Sequence, residues 1–400
     1  MTTQTQHKKS IPVVDIDSHI LEPVAIWDQF VDPAYRASAK SAFYYEFSDI
    51  GPDVVVVNGK PAPAMRHNAL NRLAIYRPGL TAKEIGSMDP RKPHPITAGA
   101  QDAKARIKDM DAMGIDQALI FPTLFAEYFP VVENPDVAAA LARGYNDWVR
   151  QFCSAAPDRL FPVAILPMQS ATLAIREARR IAALGFKAAF IRPSFFHGKF
   201  PNHRDYDGLW STLEADGVAA CMHPSPGSAN PDWTSEGPFI ERMAANLHIG
   251  HPIAETVAPG MDNGLFLSAV CFFGHMETYP KLKLSFVHSG AYWAPLAIEK
   301  SETYLWLLPQ AKIVSLEPEH VWHQRPSLVG FDTWESSVRR LADEYHDVAA
   351  WGSHYPHHDA TDAWEAIRNL EQAGLAGDIV RGYMGGNAAK FYGLPTKVTA

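Results

Sequence analysis

Val13-Val14-Asp15-Ile16-Asp17-Ser18-His19-Ile20-Leu21-Glu22-Pro23 decides how the rest of the chain is read. A short apolar run leads into two carboxylates, a histidine and a third carboxylate, the pattern of a buried strand whose end opens into a polar site. Strand side chains alternate faces, so Asp15, Asp17 and His19 are expected to point the same way if the strand persists that far. Two of them could grip one cation. Four later segments repeat this grammar of apolar run followed by a polar end: Val218 to Pro224 with His223, Leu284 to Gly290 with His288, Val348 to Asp359 with His354, His357 and His358, and more loosely Phe190 to Pro193 with Arg192. Polar residues gathered at the ends of several strands are what a parallel barrel offers at its C-terminal face.

Alternation of strand and helix from Gln101 onward supports the same fold class. Strands are expected at Asp116–Phe121, Phe161–Leu166, Lys187–Ile191, Val218–Met222, Leu282–Val287 and Val348–Trp351, with a weaker one near His320–Val329. Helices fall between them, several stopped by glycines such as Gly114, Gly185 and Gly217. With the first strand, the total fits a (β/α)8 barrel. Residues 24–104 interrupt it with prolines and an Asn58-Gly59 hairpin signal, and are expected to form a loop-rich insertion over the barrel mouth within one domain spanning 1–400. Ser225–Gly264 reads as a second loop-rich excursion, followed by a helix from Leu265.

Composition narrows the function classes. Four hundred residues, 47% hydrophobic and 20% charged, give an ordinary globular balance. A net charge of −8 without a block of Lys or Arg argues against nucleic acid or an anionic membrane as the main partner. Three scattered cysteines in apolar surroundings suggest reduced, buried thiols in the cytoplasm. No apolar run is long enough to span a bilayer. The oligomeric state stays open, a homo-oligomer included. Several of the 17 histidines stand at expected strand ends, where neutral imidazole is a common ligand for Zn, Fe or Mn.

Taken together, Asp15 to Pro23, Cys221-Met222-His223-Pro224, Phe286 to Pro295, Gly352 to His357 and Gly385 to Leu394 resemble the amidohydrolase-related group of metal-dependent barrels, which includes aromatic-acid decarboxylases and small hydrolases. The resemblance implies Asp17 and His19 as ligands from the first strand, His223 from the fifth, and His288 near the metal. It departs at the eighth strand, where the family reads Gly-Ser-Asp-Tyr-Pro-His and this chain has Gly352-Ser353-His354-Tyr355-Pro356-His357. The missing Asp is the family's ligand and proton carrier.

Replacing that carboxylate by imidazole removes an anionic base and adds a nitrogen donor. The candidate ligands are then Asp17, His19, Glu22, His223, His288, His354 and His358, more than one ion can use. This His-rich set is similar to a branch of barrel enzymes with two non-haem irons, and the favoured expectation is a diiron monooxygenase. Its substrate would be a bulky apolar small molecule, with CoA-linked ones among the candidates, and it would need an electron donor. The alternative is a hydrolase or decarboxylase with one Zn or Mn, acting on a carboxylic acid. A binding module that kept the barrel is the third reading, and the retained histidines argue against it. His354, His288 and His357 are the catalytic candidates, with His357 also able to orient a ligand, and Arg192 and Trp293 are the candidate substrate contacts.

Overall fold

The computed structural model describes residues 9–46, 54–61, 74–88, 94–225, 250–307 and 322–395. Eight parallel strands follow the order β1 (Val14–His19), β5 (Gln117–Phe121), β6 (Leu160–Ile165), β7 (Ala188–Ile191), β8 (Ala219–Met222), β9 (Leu284–Phe286), β10 (Ser327–Phe331) and β11 (Ala349–Trp351). Every residue of β1, β5, β7, β8, β9, β10 and β11 is buried. This is why these strands read as apolar runs: a parallel sheet wrapped in helices leaves neither face to water. The (β/α)8 barrel expected from the sequence is the fold found.

The helices between strands start and stop on local signals. Asp102 caps Ala103–Met113 by accepting from the Ala105 amide, and Gly114, at φ +75°, ends it. Asn134 caps Pro135–Cys153 in the same way, with proline at the first helical position. One segment departs from expectation. The Gly250–Phe272 helix begins well before Leu265 and runs through Pro259. Prolines and glycines lower its intrinsic propensity, but the helix packs along Ala294–Leu307, and tertiary packing overrides propensity. The weak seventh barrel strand is also displaced, ending at Phe331 and not at Val329.

The 24–104 segment contributes an antiparallel sheet of β2 (Phe43–Glu46), β3 (Val54–Val57) and β4 (Lys60–Pro61). Asn58 and Gly59, both at positive φ, form the expected turn. The Asn58 side chain donates to Val131 O at 2.8 Å, and the Tyr76 amide donates to Pro356 O at 3.0 Å. The segment thus touches the chain beyond both β5 and β11. No helix among the described residues is long and apolar enough to cross a membrane.

The barrel closes where its last strand meets its first. The His354 amide donates to Asp17 O at 2.9 Å and the His19 amide to Tyr355 O at 2.6 Å. Asp15 adds a side-chain stitch, accepting from Ser353 N at 2.9 Å and Ser353 Oγ at 2.5 Å. A register irregularity in β1 between Asp15 and Ser18 separates this carboxylate from Asp17 and His19, against the simple alternation expected of the strand. Beneath the seam, fully buried Arg106 donates to Ser18 Oγ at 3.0 Å and to His19 O, with its guanidinium 4.4 Å from the centre of the Tyr355 ring.

Candidate metal centre

Asp17 and His19 at the end of β1, His223 just past β8 and His288 just past β9 bring one ligand atom each to within 4.8 Å of one another, the group among the described residues that could hold an ion. Asp17 Oδ1 lies 3.0 Å from His19 Nε2 and 3.5 Å from His223 Nε2, while Asp17 Oδ2 lies 3.1 Å from His288 Nδ1. His19 Nδ1 donates to Pro122 O at 2.9 Å and His223 Nδ1 to Pro224 O at 2.5 Å, an assignment that leaves both Nε2 lone pairs facing inward. Gly352 makes room for the carboxylate, since a Cβ there would stand 2.7 Å from Asp17 Cβ.

Electrostatics prepare the same donors. Burial lowers His19 and, with His288 adding to it, pushes His223 down to about 3, so both rings are neutral at neutral pH. Burial alone would raise the Asp17 carboxyl, but the surrounding His288, His19 and His223 hold it well below the usual carboxylate range. A buried anion beside neutral imidazoles with fixed tautomers is a donor set that fits a divalent ion.

His354 adjoins this group without joining it. Its Nε2 lies 3.2 Å from both Asp17 Oδ2 and Asp332 Oδ1, and its Nδ1 lies 2.9 Å from Asp359 Oδ2. Burial pulls the ring downward, yet Asp359, Asp332 and Asp17 outweigh it and hold His354 well above its ordinary value. His288 and His354 both have left-handed backbones, at φ +57° and +56°, a conformation that non-glycine residues adopt at a cost and that concentrates at functional sites.

The remaining sequence candidates are placed elsewhere. Glu22 is fully buried, and its two oxygens accept from the amides of Thr123, Leu124 and Phe125 at 2.9 to 3.0 Å, so it caps the Leu124–Tyr128 helix and is not a ligand. His357 stacks on His19 at 4.2 Å with Nε2 3.2 Å from Thr123 Oγ1, a position that braces the ligand ring. His358 stays outside the cluster, near enough to Asp359 to lower that carboxyl. Arg192 is fully buried and donates to Ala126 O at 3.5 Å and to Ser225 O, tying the chain beyond β5 to that beyond β8. Trp293 is buried on Phe286 and donates to Ser289 Oγ at 3.0 Å and Gly290 O at 2.8 Å.

Sequence reasoning overlooked Asp332 and Asp359. Asp332 follows β10 directly and carried the same signal as the other strand ends, but the strand was expected to finish before it. Asp359 stood in the His357-His358-Asp359 run with no partner to suggest a role.

The amidohydrolase family pattern (Amidohydro_2) matches residues 93–394. The chain is 26% identical over 193 residues to gamma-resorcylate decarboxylase of Rhizobium radiobacter, a match covering 46% of this chain and about half of that relative, 54%. Its structure is similar to an amidohydrolase from Mycobacterium avium subsp. paratuberculosis K-10, with a TM-score of 0.77 and 19% identity over 96% of this chain and 100% of the other. It is also similar to a dihydroxybenzoic acid decarboxylase from Polaromonas sp. JS666 with bound manganese, with a TM-score of 0.63 and 17% identity over 96% and 97% of the two chains.

These likenesses overturn the diiron monooxygenase expectation. Gamma-resorcylate decarboxylase and the manganese-bound dihydroxybenzoic acid decarboxylase are both decarboxylases, and Glu22, His354 and His358, the groups expected to build a second metal position, stand outside the cluster. The electron donor and the CoA-linked substrate, which followed from the oxygenase reading, lose their basis with it. A family match over three quarters of the sequence, carried on an eight-stranded parallel barrel with His and Asp at its strand ends, places this chain in the amidohydrolase family.

Proposed function

We propose that the protein is a decarboxylase of small aromatic carboxylic acids that uses a single divalent ion, manganese before zinc, held by Asp17, His19, His223 and His288. The observation that carries this reading is the pairing of that cluster with His354, whose Nε2 lies 3.2 Å from the Asp17 carboxylate and from Asp332. The decarboxylase relatives supply the substrate class, and the manganese bound to the Polaromonas enzyme supports the choice of metal.

A bound ion would supply Lewis-acid polarisation of substrate oxygens. The chain supplies the rest. Asp17, His19 and His223 would hold the ion that meets the anionic end of the acid, through neutral rings whose tautomers the Pro122 and Pro224 carbonyls fix. His354 gives its Nε2 proton to the ring carbon as the bond from that carbon to the carboxylate breaks, so that an arene and carbon dioxide leave and a neutral imidazole remains. Asp332 and Asp359 favour the protonated ring before transfer and draw the next proton to it. In this chain, imidazole with two carboxylates does the work that the family pattern gives to one carboxyl. The described parts of the 24–104 segment tie to Val131 and Pro356, beside two of the strand ends that carry the site.

Metal analysis of protein grown in manganese, with carbon dioxide release from a panel of hydroxybenzoates, tests the reading. We expect near one ion per chain, activity lost to chelator and restored by manganese, and a fall of about 10²-fold or more in turnover for His354→Ala with metal retained. Two ions per chain, substrate-coupled oxygen uptake, or no carbon dioxide release across the panel would overturn it.

A further inference from the structure

The left-handed backbone of His288 needs an external restraint, and the structure identifies it. Residues Val287 to Ala291 are bonded from several sides: Trp293 Nε1 reaches Ser289 Oγ and Gly290 O, the Glu335 carboxylate accepts from the Ala291 amide at 2.9 Å, and Tyr345 Oη donates to Ala291 O at 2.7 Å. These contacts all act on the C-terminal side of His288. Asn263 alone among the described hydrogen bonds brackets it. Fully buried on the Gly250–Phe272 helix, its Nδ2 donates to Val287 O at 3.3 Å and to Ser289 Oγ at 2.8 Å, one residue before and one residue after the histidine.

The amide cannot serve equally well either way round. Turned over, it would set Oδ1 against the Val287 carbonyl, and in the arrangement found Oδ1 is buried with no hydrogen-bond partner among the described residues. The side chain therefore keeps its two donor contacts while leaving its acceptor unmet, the arrangement expected when the donors have a task. What they hold in place is a ring with Nδ1 3.1 Å from Asp17 Oδ2, stacked at 4.5 Å on His223.

We propose that Asn263 is a positioning residue for His288, fixing the backbone that aims the imidazole at the metal cluster. The inference rests on the reading of that cluster as the catalytic metal site. It assigns a role in the chemistry to a helix that contributes no ligand.

The test is a double-mutant cycle on the full chain, read by manganese affinity in competition with a chelator and by kcat and KM for the best aromatic acid. Asn263→Leu keeps the branched side-chain shape, with added bulk, and removes both donors. It is expected to weaken manganese binding and lower kcat by about 10- to 100-fold, as loss of a group that orients a metal ligand does, with circular dichroism unchanged. In a His288→Ala background the same substitution should cost almost nothing more, because the group it positions is gone. Asn263→Ser, which keeps one hydroxyl donor, should recover part of the loss and serves in place of Asn263→Leu if that variant does not fold.

Equal losses in both backgrounds, or unchanged affinity and rate for Asn263→Leu, would overturn the inference while leaving the proposed function intact. If the parent binds manganese but releases no carbon dioxide, the proposed function fails, and the affinity cycle alone decides the role of Asn263.

Discussion

Replacing Glu22 by glutamine tests whether burial or hydrogen bonding governs a carboxylate that looked like a metal ligand. Burial raises this carboxyl from 4.5 to about 7, against the opposing pull of the backbone amides of Phe125, Leu124 and Thr123. Because the folded protein then binds the proton more tightly than the unfolded chain, the contribution of Glu22 to stability is greatest below pH 4.5, falls as pH rises to about 7, and is level above it. At about 1.36 kcal/mol per pH unit, the ionised fold loses about 3 kcal/mol across that window. Glu22→Gln does not titrate. Its single carbonyl can serve two of the three amides at most, so at pH 4.5 the variant should be less stable than the parent by about 1–3 kcal/mol. By pH 8 the gap should have closed or reversed by about 3 kcal/mol. Urea unfolding of both proteins at half-unit steps from pH 4.5 to 8 measures the difference directly, since other titrating groups cancel between them. A gap that stays constant, or that widens with pH, would mean that the three amides outweigh burial and that the reasoning is wrong.

Two further outcomes follow from the same kind of accounting. Gly352→Ala should push Asp17 aside, lowering manganese affinity at least about 10-fold and stability by about 1–3 kcal/mol, measured by chelator competition and urea unfolding. His275 is buried beside Trp210, and neither ring nitrogen has a hydrogen-bond partner; burial lowers it against the opposing charge of Asp207, so its contribution to stability is full above pH 6.5 and lost as pH falls below. His275→Phe should therefore flatten the acid side of the stability profile and raise the melting temperature at pH 5 more than at pH 8.

The clustering of Asp17 and His19 was legible because a polar site at a barrel mouth is written locally: apolar strand, then polar end, on one short segment. His223 and His288 followed by the same rule. Glu22 was misread for the same reason, since it sits three residues from a ligand and only the tertiary fold brings three amides from residues 123–125 to it. Asp332 was hidden by an error of two residues in where β10 ends. Asn263 was hidden by Pro259 and its neighbouring glycines, which made a buried helix read as a loop. Contacts set by packing between distant segments leave no periodic trace in the sequence. The metal count was misjudged on similar grounds: counting histidines near strand ends cannot tell which of them will be claimed by carboxylates such as Asp332 and Asp359.

The stitch between Asp15 and Ser353 joins residues 338 positions apart in the chain. Loop closure over such a span is slow, and contacts of this range form late. During synthesis the segment carrying Asp17 and His19 waits for a long stretch of chain to be made before its final neighbours arrive. A nascent chain stalled before residue 353 can pair β1 with β5 but cannot bring His354 to Asp17. Under the mechanism proposed above, activity would be acquired in a single late step of synthesis, and chains stalled before it would be silent however much of the barrel they had built.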